Sequence, residues 1–130
     1  MSEKNKNVVI TNRAREKLVK ARAGAIQLPK VVGMAFGNGG VEQDGTVIPP
    51  TETQNGLKSE IYRKKIDRYS FPKDTTCRYE CTLTESELAG EEISEVGLYD
   101  EENDIVCIKT FKRKGKDDDI EQTYIVDDIF

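Results

Sequence analysis

The sequence predicts an α+β fold: an antiparallel β-sheet or small sandwich, with two helices from the N-terminal half packed on it. Three observations carry this expectation. Apolar residues recur at helical spacing over residues 12–25. Residues 75–83 alternate at the two-residue period of a half-buried strand. Residues 93–111 form two β-prone runs around an acidic turn. At 130 residues, 36% of them hydrophobic and 34% charged, the chain has the size of one domain, 1–130, with an economical core.

Residues 7–11 are a short strand or extended lead-in, and Thr11 or Asn12 can cap the helix that follows. Within it Ala14, Leu18, Ala21 and Ala25 form one narrow stripe, bordered by Arg13, Lys17 and Lys20 on one side and by Arg15 and Arg22 on the other. The alanines imply a close approach to the packing partner, and the basic side chains could cover its edges with their alkyl stems. Gly24 fits a terminator. A β-prone run over 30–36 ends at Gly37-Asn38-Gly39-Gly40, and Asp44-Gly45 and Pro49-Pro50 make 41–53 a loop with at most one short β-bridge.

A second, shorter helix is expected over 53–63 with Leu57 and Ile61 inward, although Gly56 weakens it by roughly 1 kcal/mol against alanine. Strands follow. Residues 66–71 are ended by Pro72, and 75–83 place Cys77, Tyr79, Cys81 and Leu83 on one face. Residues 93–99 and 105–111 pair as a hairpin about the turn at 100–104, and 112–119 form a charged loop. The last strand, 120–130, is apolar on both faces in part (Tyr124, Ile125, Val126, Ile129). That pattern predicts cover on both sides by a helix layer, a second sheet or another subunit.

Catalysis needs groups with tunable pKa values or a metal. The chain has no histidine, so the commonest general base and every Cys–His or Ser–His pair are missing. The glycine run lacks the Lys-Ser/Thr of a phosphate loop, and Asp117-Asp118-Asp119 and Asp127-Asp128 lack the spacing of a calcium loop. Cys77 and Cys81, about 13 Å apart on an extended strand, are beyond disulfide reach. With Cys107 they read as small buried apolar residues. The expectation is a non-enzyme without cofactor, metal or small-molecule substrate.

Nothing approaches the roughly 18 consecutive apolar residues of a membrane span. Val8-Val9-Ile10 is too short for a signal-peptide core, so synthesis in the cytoplasm is expected. Charge is divided. Residues 1–30 carry eight Lys/Arg against two Glu, a net of +6, and residues 31–130 carry a net of −10. An acidic domain is a poor general nucleic-acid binder, and the five basic residues of 109–116 lie beside an acidic triplet that opposes phosphate. The basic helix is instead expected to dock on an acidic surface, its own or a neighbouring subunit's. The candidate interface is therefore Arg13, Lys17 and Lys20, with Tyr124, Val126 and Phe130 of the last strand.

Three segments carry a resemblance: Gly33-Met34-Ala35-Phe36-Gly37-Asn38-Gly39-Gly40, the run 57–66 around Tyr62 and Arg63, and Ile93-Ser94-Glu95-Val96-Gly97-Leu98-Tyr99-Asp100 with the strand ending in Thr110-Phe111. In order and spacing the chain resembles, over roughly residues 8–130, the N-terminal domain of phage tail-collar fibre proteins. The resemblance implies a structural component of a phage or prophage virion tail that attaches a fibre to the tail tip or baseplate. Its partners would be other tail or baseplate proteins and further copies of itself, a trimer being the usual form. It brings no catalytic residues, and Gly37, Gly39, Tyr62, Arg63, Ile93, Glu95, Gly97, Leu98, Tyr99 and Asp100 are then motif residues with structural roles. The alternative from another class is a small β-rich carbohydrate-binding module, which needs an exposed aromatic platform; the chain has no Trp, and its five Tyr are scattered.

Overall fold

The computed structural model describes residues 7–130. Strand β1 (Val8–Ile10) leads into helix α1 (Asn12–Arg22). Thr11 makes this junction. Its Oγ1 accepts the Ala14 amide and donates to the Ile105 carbonyl, so one fully buried hydroxyl both caps the helix and ties it to a distant strand. Lys20 and Arg22 in the last turn suit the negative end of the helix dipole. Gly24, at φ +83°, turns the chain out of the helix.

Seven further strands follow: β2 (Val31–Gly37), β3 (Glu60–Lys65), β4 (Arg68–Lys73), β5 (Thr76–Leu83), β6 (Glu92–Asp100), β7 (Ile105–Gly115) and β8 (Gln122–Ile129). They form a five-stranded sheet, β1-β7-β6-β2-β3, and a three-stranded sheet, β4-β5-β8, with every pairing antiparallel. Met34, Phe36, Val96, Leu98 and Cys107 from the first sheet meet Cys81, Leu83 and Val126 from the second in one core between them. The opposite face of the larger sheet buries Ala35, Tyr99, Ile105 and Ile108 under Leu57 of the long 38–59 connection.

Four expectations need correction. The protein is mostly β, with a single short helix among the described residues, not an α+β fold with two helices. The helix expected over 53–63 does not form. The chain turns after Gln54, and residues from Glu60 extend as β3, pairing Tyr62 with Phe36 and Lys64 with Met34. Leu57 and Ile61 are four apart, a spacing compatible with a helix; the unpaired edge of β2 offered more hydrogen bonds than an isolated turn containing Gly56 could. The charged loop expected from residue 112 likewise begins later, because β7 runs on to Gly115 against β6. Pro72 does not end its strand. It sits on the outer strand β4, beside a register shift, where a missing amide costs no ladder bond.

Candidate functional site

One motif carboxylate ties the glycine run to the 58–59 segment. Glu95, 1% exposed on β6, accepts the amides of Gly39 and Ser59 at 2.8 Å on one oxygen and that of Lys58 at 2.9 Å on the other. The glycine run that resembles a phosphate cradle is therefore occupied by the protein's own anion. Gly37 and Gly39 are required by contact, since an added Cβ would fall 2.5 and 2.9 Å from that carboxylate. Gly33 makes room for Tyr99, whose ring would lie 2.1 Å from a Cβ there. Arg63 stacks its guanidinium 4.7 Å above the same ring. Ile93 and Leu98 are fully buried, and Gly97 lies against Leu57.

A second cluster holds α1 in place. Lys17 is turned inward, 5% exposed, with its ammonium 2.6 Å from Asp100, 2.8 Å from Glu102 and 2.7 Å from Asp104. Burial works against its charge, but the three carboxylates outweigh burial and raise its pKa. Hydrogen bonding from Lys17, aided by Arg13, lowers Asp104. Asp100 also accepts the amides of Glu102 and Asp104, closing the β6–β7 turn. The ligand atoms of this acidic trio lie within 4.8 Å of one another, as a metal would need; here the lysine ammonium sits among them.

A third set sits under β3. Tyr62 donates its hydroxyl to Glu87, and Lys64 reaches Glu87 at 2.6 Å and the Thr82 carbonyl at 2.8 Å. Partial burial opposes the Glu87 charge. The bonds from Lys64, the Thr84 amide and Tyr62 prevail, and its pKa falls from 4.5 to about 2. Three of the five basic residues of 109–116 are similarly engaged in backbone contacts. Lys109 donates to the Ile125 carbonyl, Arg113 to those of Glu42 and Gln43, and buried Lys116 to those of Glu85 and Asp117. Burial pushes the Cys81 thiol up to about 12 and raises Cys107 as well, so neither is a ready nucleophile.

The six residues expected at an interface do not form one patch, although Lys17 and Phe130 line the same groove. Lys17 is engaged internally and Val126 is in the core. Tyr124 is half-buried, its ring 5.4 Å from Phe36. Arg13 is partly exposed and pairs with Asp104 and Glu16, Lys20 is exposed, and Phe130 is 62% exposed. Sequence reading named Phe130 but missed the residues that gather around it. Leu28, Tyr69, Phe71 and Phe130, between 46% and 67% exposed, border a groove of about 660 Å³ with Leu18, Val31 and Tyr79 in its walls. The bare apolar face of β4 was the available signal.

A small two-sheet domain whose fully buried charged side chains among the described residues, Lys17, Glu95, Asp100 and Lys116, serve internal ties, and whose charged surface is interrupted by an apolar groove, belongs to the class of structural modules. The family model for the phage tail-collar fibre protein, N-terminal domain, matches residues 1–127, and the chain belongs to that family. It is thus a phage tail protein, a tail-fibre structural component of the virion. No curated protein matches the chain. No solved structure matches it either.

Proposed function

We propose that this domain attaches a fibre to the tail tip or baseplate through protein–protein contacts, working as an oligomer, most simply a trimer. The exposed apolar rim of Leu28, Tyr69, Phe71 and Phe130 is the observation that carries the reading. Large apolar side chains gathered on an otherwise highly charged surface mark an interaction site. Carbohydrate binding is the weaker reading. Tyr69 and Phe71 meet edge to face, 5.7 Å apart at 72°, so they present no flat shared platform to a sugar ring.

The test is to label the chain in particles of a phage that encodes it and to image them. Label at the tail tip or baseplate is expected. Label on the head, or particles that keep their fibres after the gene is deleted, would refute attachment.

A further inference from the structure

Strand alternation and register explain the groove. Tyr69, Phe71, Cys77, Tyr79 and Asp128 lie on the same face of the three-stranded sheet as the core residues Cys81 and Val126. Farther along that face the other wall is built from helix α1, the 28–31 segment and single residues of the five-stranded sheet, Ile10, Asp100 and Val106, and a cleft is left between. An inward face is thus only partly covered.

One polar group in the cleft lacks a counterpart. Asp128 lines it opposite Cys77 and forms no ion pair among the described residues. Its surroundings keep it unpaired. Lys17, in the same wall, is committed to Asp100, Glu102 and Asp104; Lys30, at the rim, makes no ion pair with Asp128; and Asp74 adds further negative charge. Burial accordingly lifts the Asp128 pKa from 3.8 to about 6. The neighbouring Asp127, on the other face of β8, already has Arg78 at 2.8 Å.

We propose that this cleft receives an apolar segment of a partner tail protein carrying one Lys or Arg, whose charge pairs with Asp128 while apolar residues cover Tyr69, Phe71 and Phe130. This rests on the attachment reading above and gives it a location and a chemistry. The apolar walls supply contact area and the unmatched carboxylate supplies selectivity, because a charge buried by a neutral segment would be left without compensation.

The experiment is a random-peptide display selection on the full chain, counter-selected on Phe71→Ser, an exposed position whose loss leaves the core intact. Selected peptides are expected to share apolar residues around a single Lys or Arg. They should bind Asp128→Asn at least about tenfold more weakly, and neutralising the peptide's basic residue should cost the same, with no further loss when both changes are combined. Asp128→Asn should melt no lower than the parent, which excludes misfolding as the cause. Peptides without a basic residue, equal binding to Asp128→Asn, or no enrichment would overturn the proposal. So would self-association abolished by Phe71→Ser, which would make the occupant a second copy. If any of these occurs while label remains at the tail tip, the groove assignment fails and the attachment reading stands.

Discussion

Replacing Glu95 tests whether the family motif is an internal anion site. The carboxylate lies almost wholly out of solvent and takes three amide donors at 2.8–2.9 Å. Hydrogen bonds to a charged group contribute roughly 1.5–3 kcal/mol each. Glu95→Ala removes all three and also relieves the cost of burying the charge, so a net loss of about 4 kcal/mol is expected. Glu95→Gln keeps one acceptor but turns an NH2 toward at least one amide N–H, for a loss of about 2 kcal/mol. With an m-value of roughly 2 kcal/mol/M, the urea midpoints should fall by about 2 M and about 1 M. Equilibrium urea unfolding followed by circular dichroism reads both. If Glu95→Gln unfolds within about 0.3 M of the parent, the second oxygen is unnecessary and the argument fails. Equal losses for the two variants would show that the side chain's bulk, not its paired oxygens, holds the loops.

Two further outcomes can be measured in the same way. The folded-state pKa of Glu87 is depressed, so its stabilisation is present above pH 4.5 and disappears as pH falls toward 2; it amounts to about 3 kcal/mol. Glu87→Gln should lose roughly that much at pH 7 and show a flatter acid limb, and parallel pH profiles for the two proteins would refute the assignment. Lys17→Met leaves three carboxylates crowded together without their cation. It should cost about 3–5 kcal/mol, with the 12–22 amides losing hydrogen-exchange protection first, whereas a change below about 0.5 kcal/mol would show the cluster to be incidental.

Legibility varied with how local the deciding interactions were. The β6–β7 hairpin was visible because its alternation, acidic turn and β-branched residues all lie within twenty consecutive positions. Helix α1 was visible through Thr11 and the Ala14 and Leu18 spacing, although it stops at Arg22 and Ala25 lies beyond it, exposed. The face it buries was misjudged: Lys17 counted as a flanking cation because its carboxylates lie more than 80 positions away. Glu95 was a motif letter with no visible task, since its donors are 36 to 56 positions distant. The apolar groove had no signal beyond Phe130 and the apolar Tyr69 and Phe71, because Leu28 meets them only once both sheets are stacked.

The sequence by itself determined the strand-rich character, the first helix, the hairpin, the absence of histidine chemistry and the family. Each follows from composition, short-range period or a contiguous motif. Only the tertiary structure decided that residues 60–65 extend along β2, that the glycine run holds Glu95, that Lys17 is buried among carboxylates, and where an apolar cleft stays open. The reason is the same in each case. Hydrogen-bond partners, counter-charges and the lid over a sheet face come from chain segments far apart in sequence, and burial gives those contacts their energy only after the segments meet.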